Sequence, residues 1–404
     1  MPETLSSADA ALKEDYLPGI RSTLNDAFPF LNQIEKNSID TEGRRAVLSL
    51  NTGHNQGVGP RAEGGTLPDA GQESYAEERV SLRYNYGRLQ VSGPVIAAMK
   101  SDKGSFVRAV DSASKGLITS LKKEVNHQLF NDGTGRIATC GVTTASTTLV
   151  LAAATTDTEM RAFYVNMKVD IGTLAAPTGA ASGLTVTAVQ FAARTLTLSA
   201  AVTTAATDFV FRQGAGGTGA TQKALTGVKA IISDTGTLFN VDPTVNPSWK
   251  STVLANGGTL RAATETLFAK FMDEVAIASG MGVGSLMISN FGVARNYAAP
   301  LTSQKRFNDT VELSGGWSGL KINGSSGSTT LVPDKDCTEN LTYSINTEHM
   351  FEHQSSDWDF MDQDGAILSR VPNVHAYEAT LFKIHELTTD HRAAHGVLKD
   401  LSQS

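Results

Sequence analysis

His349-Met350-Phe351-Glu352-His353 has the spacing H-x-x-E-H. On a helix that spacing puts two imidazoles on one face to hold zinc, with Glu352 beside them to activate water. The segment before it, Leu341 to Ile345, alternates like a strand. Continued as a strand, the two histidines stand about 13 Å apart, too far to share one ion. Gly214-Ala215-Gly216-Gly217-Thr218-Gly219 matches G-x-G-x-x-G behind a strand, with Asp234 near the spacing of a ribose-binding acid. Ala220 to Thr226 is a poor helix start and no βαβ series surrounds it, so the glycines read as a return from a preceding domain. Asp357, Asp359, Asp362 and Asp364 with Gly365 suggest calcium, but the first position of an EF-hand loop would be Phe360. The two cysteines, Cys140 and Cys337, have no partner at metal spacing, and no G-x-S-x-G elbow occurs. These residues predict no catalytic, cofactor-binding or metal site, and hence no enzyme.

The elements that carry them belong to a chain of 404 residues with a formal charge of −7. Apolar residues and glycines together make about half of it, which is ordinary for a globular protein and argues against wholesale disorder. The length suggests two or three domains. A protein that wraps nucleic acid by neutralising phosphates is normally basic, so this charge disfavours that class. The start of the chain lacks a secretory signal, and no 18 apolar residues run together, so the sequence reads as soluble and made inside the cell.

Along the chain, residues 1–50 read as an arm with one short helix on Leu24, Phe28 and Leu31. Residues 51–90 are Gly-rich and end in an alternating run, Val80, Leu82 and Tyr84, which predicts a long two-stranded loop with little core of its own. From residue 105 to 131, Phe106, Val110, Ala113, Leu117, Leu121, Val125 and Leu129 follow a 3–4 spacing. They predict a helix about 40 Å long, with Gly116 marking a bend or a close contact. Residues 141–222 change character: alanine and threonine supply 36 of the 82 positions and only eight are charged. Short alternating strands there predict a small all-β barrel or sandwich inserted into the main fold. A second helix is predicted from Leu260 to Ala278, ending near Gly280, and a buried strand at Ser285–Ser289.

The order of these parts resembles the major capsid proteins of tailed bacteriophages, of the Hong Kong 97 type fold shared with encapsulins. The residues that carry the resemblance run from Leu89-Gln90-Val91-Ser92-Gly93-Pro94 to the long helix and its exit, Gln128-Leu129-Phe130-Asn131-Asp132-Gly133-Thr134-Gly135. They continue through Ala224-Leu225-Thr226-Gly227-Val228 and Asn246-Pro247-Ser248-Trp249 to Asp357-Trp358-Asp359 and Gly365-Ala366-Ile367-Leu368-Ser369-Arg370.

The resemblance implies an α+β fold: an N-terminal arm (1–50), an extended E-loop (51–90), a P-domain with its spine helix (91–140), the inserted β-domain (141–222), an A-domain (223–335) and return strands completing both domains (336–404). It implies a chain that self-assembles, as hexamers and pentamers, into an icosahedral shell around the genome of a tailed phage. Partners would be a portal protein, a separate scaffolding protein and double-stranded DNA enclosed without sequence-specific binding. The location would be the virion, assembled in the host bacterial cytoplasm, with no membrane and no cofactor. An encapsulin-like compartment and, further off, a zinc hydrolase are the alternatives. Some family members cross-link the shell through an E-loop lysine, but no lysine occurs between Lys36 and Lys100. The charged residues left in the loop, Arg61, Glu63, Glu73, Glu77, Glu78, Arg79 and Arg83, are the candidate inter-subunit contacts. The insert is expected either to clamp neighbours or to decorate the surface.

Overall fold

A computed structural model describes residues 30–38, 41–42, 45–55, 57–92, 103–303, 310–313, 317–362 and 369–403. Leu24, Phe28, Asp364 and Gly365 lie outside the described residues. Among the described residues the fold is α+β, with four sheets and one dominant helix.

That helix, α1 (Lys103–Leu129), begins two residues before the predicted start. It buries Ile118, Leu121, Val125 and Leu129, together with the polar Ser114, Asn126 and Gln128. Leu121, Val125 and Leu129 lie on the predicted stripe, while near its start Ala113 is exposed and Ser114 is buried instead. Gly116 makes no close contact: a Cβ there would meet nothing within 4 Å. Replacing it by alanine should stabilise the unassembled chain by about 1 kcal/mol, read as a raised thermal midpoint. The close approach is at Gly87 instead, where a Cβ would stand 2.7 Å from Leu121 and 2.9 Å from Leu117.

Gly87 lies on β3 (Arg83–Ser92), which follows a hairpin of β1 (Arg45–Gly53) and β2 (Ser74–Ser81). The hairpin strands pair antiparallel from Arg45↔Ser81 to Asn51↔Tyr75 and close at Gly53↔Ser74. β3 leaves the hairpin and pairs antiparallel with β5 (Ala376–Thr389), which pairs on its other side with β4 (Met350–Phe360). Glu35–Asn37 joins this sheet parallel to β4. The handover at Leu82 flips the strand parity. Glu78, Val80 and Leu82 point inward, then Asn85, Gly87 and Leu89 do. Tyr84, which the alternation groups with Val80 and Leu82, is exposed and stacks on Tyr86, with centroids 6.3 Å apart and planes 5° apart. A one-residue shift between two sheets is enough to turn a side chain out.

Residues 136–212 form a separate six-stranded antiparallel sheet with its own core, including Leu149, Met160, Val169, Val186, Leu196 and Val210. Its first strand starts at Arg136, ahead of the expected boundary. A short helix, Asp157–Arg161, carries a capping box of Thr156 and Glu159. It fastens the insert to the body, because Glu339 Oε1 accepts from the Thr158 backbone N–H at 3.1 Å and its hydroxyl at 3.2 Å. On the other side Arg212 meets Glu124 of α1 at 2.8 Å.

A seven-stranded sheet holds Leu286–Ser289 at its centre, between Leu341–Ile345 and Gly327–Pro333. Against it packs α2 (Glu265–Ser279), capped by Thr264, whose hydroxyl accepts from Leu267 N–H at 3.3 Å. Gly280 ends it at φ +68°, as a left-handed C-cap requires. The helix starts later than the sequence suggests. Leu260 lies outside it and exposed, while Phe268, Phe271, Met272 and Val275 form the buried face.

Candidate assembly surface

Among the described residues, the hairpin of β1 and β2 carries several exposed apolar side chains: Val47, Val58, Leu67 and Tyr75. Its root is anchored: Ala46 and Val80 are fully buried, and Arg79 N–H donates to Phe239 O at 2.9 Å. Among the described residues of its tip, 54–55 and 57–73, none lies in a strand, and Val58 and Leu67 are each 80% exposed. Large apolar side chains held out on an extended loop signal an interaction surface.

The seven predicted contact residues divide. Arg61 closes the tip on itself, donating to Thr66 O at 3.1 Å and Pro60 O at 3.0 Å. Glu63 is exposed. Glu73 accepts from Asn51 at 3.0 Å and from the Tyr75 hydroxyl at 2.7 Å. Glu77 and Arg79 pair along one face of β2 at 2.8 Å, and this pair holds the exposed Glu77 below its ordinary range. These five are accessible.

Glu78 is buried and Arg83 half-buried with its charge engaged inside the chain, and that corrects the sequence expectation. Glu78 shares the inward face of β2 with Val80, and among the described residues neither of its carboxyl oxygens has a hydrogen-bond partner. Burial, reinforced by the negative charge of Asp390, pushes it up to about 9, so it is a neutral acid at pH 7. Arg83 turns inward and donates to Glu386 at 3.1 Å and to Gln222 O at 2.7 Å.

Arg83 opens onto a buried polar network that the sequence reading missed. Glu386 accepts from Thr226 N–H at 2.7 Å as well as from Arg83, yet burial outweighs them and lifts it to about 7. One residue earlier, His385 Nδ1 lies 2.6 Å from Glu352 Oε1, and its Nε2 lies 3.0 Å from Asn85 Nδ2. Gln128 of α1 donates to Asn85 Oδ1 at 3.2 Å and accepts from Leu225 N–H at 3.1 Å. Lys383, fully buried, stands 2.6 Å from Glu352 Oε1, 3.4 Å from Asp357 Oδ1 and 5.8 Å from the centre of the Trp358 ring. Burial opposes the charge on Glu352, but Lys383 and His385 overcome it and hold the carboxylate well below its usual range. The network ties α1, three strands and the exit of the insert at one point. The signal available in sequence was parity: Ala379, Leu381, Lys383 and His385 are alternate residues of β5 on one face.

This arrangement answers the H-x-x-E-H reading. His349 ends a 3₁₀ turn and its Nδ1 meets Asp390 at 2.9 Å, while Glu352 and His353 lie buried within β4. Glu352 is held by a lysine and a different histidine, so it is not a base poised beside metal-bound water. Gly214 to Gly219 is a loop returning to the body: Gly214 N–H donates to Asp170 at 2.7 Å, and only a three-residue 3₁₀ turn, Gly219–Thr221, follows. Asp357 pairs with Lys36 at 3.6 Å as well as with Lys383. Among the described residues no group of three or more metal-ligating side chains converges.

No family model matches the sequence, and no curated protein matches it. Solved structures do. The chain is similar to a protein of the cyanophage A-1(L) capsid asymmetric unit, at 13% identity, with 92% of each chain covered and a TM-score of 0.56. It also aligns with the capsid of an empty GTA particle, at 8% identity, covering 92% of this chain and 89% of that one with a TM-score of 0.47. The holo-SrpI encapsulin complex of Synechococcus elongatus aligns at 9% identity, covering 92% and 86% with a TM-score of 0.46. The long helix crossing the β3–β5 sheet, the projecting hairpin and the end-to-end match with the cyanophage protein agree: this chain has the phage-capsid fold of the Hong Kong 97 type.

Proposed function

We propose that this chain is a major capsid protein that assembles with copies of itself into the closed shell of a tailed phage. The observation that carries the reading is the hairpin. It projects from the body with Val58 and Leu67 bare at its tip, an arrangement that exposes apolar surface on a monomer and buries it in a symmetric assembly. A net charge of −7 suits a wall that encloses DNA without gripping it. The insert fits the same reading as an addition to the shell, fastened by Glu339 and Glu124. A portal and a separate scaffolding protein complete the proposed set of partners, and the virion is the proposed location.

Negative-stain microscopy of the purified chain, with its scaffolding protein supplied, should show closed particles of uniform size. A compact monomer under every condition would refute the reading. Because residues 37–99 contain no lysine, the shell should dissolve to monomer bands on a fully denaturing gel. Ladders above monomer mass would overturn that expectation. Particles filled with a protein cargo in place of DNA would instead point to an encapsulin-like compartment.

A further inference from the structure

A cavity of about 130 Å³ opens at the joint between the insert and the body. It is lined by His127 on the last turn of α1, Arg136 and Thr139 on the first strand of the insert, Glu159 on its short helix, Lys229 on the helical turn Val228–Ile231, and Asp336. Donors are in excess there. Among the described residues the Lys229 amine, the His127 ring and the Thr139 hydroxyl have no hydrogen-bond or ion-pair partner. Arg136 meets Asp132 with one guanidinium nitrogen, at 2.8 Å, and its remaining N–H groups have no acceptor among the described residues. The two carboxylates are already engaged. Glu159 accepts from the Thr156 N–H at 2.8 Å and from its hydroxyl at 3.3 Å, and Asp336 accepts from Asn126 and Lys335.

We infer that this cavity binds one tetrahedral oxyanion of the inorganic phosphate class. The inference goes beyond the shell reading and does not depend on it, since it needs only the fold. Lys229 supplies the charge. It keeps contact with solvent, yet its surroundings lower its pKa: withdrawal of water from the ammonium group is the largest cause, and the like charge of Arg136 adds to it. A cation so placed gains from an anion that replaces the lost water. His127 is lowered too, chiefly by burial, so at pH 7 it is a neutral imidazole with one N–H to donate. Arg136 and Thr139 complete the donor set, and the planar fork of arginine suits an oxyanion. Glu159 and Asp336 oppose the ion and keep its affinity modest, on the order of 1 mM. Size selects the source. The cavity is smaller than the roughly 300–1,000 Å³ of pockets that enclose larger organic ligands, so a free ion enters and a nucleotide or a DNA backbone does not. The bound ion joins Arg136 and Thr139 of the insert to His127 of α1 and Lys229 of the body. The hold of the insert on the body thereby depends on phosphate concentration, beside the fixed contacts made by Glu339 and Glu124.

Equilibrium dialysis of the full chain against ³²P-labelled inorganic phosphate tests this without any mutation. It should give one ion bound per chain, and the absence of saturable binding overturns the site. Thermal unfolding at constant ionic strength, with phosphate titrated against chloride, supplies a second readout. Phosphate salts stabilise folded proteins in general by exclusion from their surface, so the diagnostic is a rise in midpoint that follows a binding isotherm. Lys229→Met should weaken binding roughly tenfold, and Lys229→Arg, which keeps the charge, should restore most of it, with both variants folded by circular dichroism. A rise that stays linear, or an isotherm that Lys229→Met leaves unchanged, overturns the proposal. Duplex DNA at the same phosphate concentration should give no shift that depends on Lys229. Such a shift would put a nucleic-acid backbone in place of the free ion and overturn the proposal.

Discussion

Replacing Glu78 by glutamine should stabilise the unassembled chain, and the gain should grow with pH. The side chain is fully buried with no partner for either oxygen, and burial beside Asp390 lifts it to about 9. In the unfolded chain it titrates near 4.3. A folded-state value above the unfolded one means that the native state binds the proton more tightly. Its contribution is therefore complete below pH 4 and is lost progressively as pH rises toward 9. At about 1.4 kcal/mol per pH unit, the native state forgoes roughly 4 kcal/mol at pH 7. That is a large share of a typical stability of about 5–15 kcal/mol.

Glutamine keeps the shape and the unpaired polar atoms but cannot ionise. The two proteins should thus have matching urea midpoints at pH 4 and diverge steadily above it. Parallel midpoint-against-pH curves would show that the carboxyl finds a partner or reaches water. The location matters for assembly: Glu78 sits at the root from which the proposed contact arm projects. Relief of its burial is therefore a source of free energy for any movement of the hairpin.

Much of this was open to reading from the amino acids, and the rest was hidden for identifiable reasons. Leu117, Leu121, Val125 and Leu129 announce α1 by period alone, because a long helix repeats its signal many times. Asn126 and Gln128 are buried through hydrogen bonds, which a period counted on apolar residues cannot register. The alternation groups Tyr84 with Val80 and Leu82, and nothing in that run marks the change of sheet at Leu82 that turns it outward. Leu260 continued an apolar spacing past the point where Thr264, a good N-cap, starts the helix. Lys383 and Glu386 were invisible as core residues because charged side chains are seldom buried unless paired, and their partners Glu352 and Arg83 lie on other strands. Glu78 was read as surface for the same reason, although its parity with Val80 placed it inside.

Removing Lys383 should be among the most damaging single changes to the chain. Its ammonium group and the Glu352 carboxylate are both buried, 2.6 Å apart, with His385 on the same carboxylate oxygen. Lys383→Ala deletes the main positive charge facing Glu352 and opens a void between β4 and β5. Breaking a buried pair from one side costs about 3–5 kcal/mol, because the remaining charge is left without compensation. Exchanging both partners for uncharged side chains of similar volume is far milder, since the desolvation of two ions is then avoided.

Lys383→Met with Glu352→Gln should therefore recover most of the loss seen in Lys383→Ala, measured by urea denaturation of the unassembled chain at pH 7. The acid limb separates charge from packing. In the wild type Glu352 is held below its ordinary range, so its contribution is present above about pH 4.3 and is lost as pH falls through its lower folded value. In Lys383→Ala that dependence should shrink or reverse, since burial alone raises a carboxyl. In the double variant the contribution from this residue should vanish. A cost below about 1 kcal/mol for Lys383→Ala, with an unchanged acid limb, would mean that water reaches the pair. The network would then not be the joint that holds helix, sheet and insert in register.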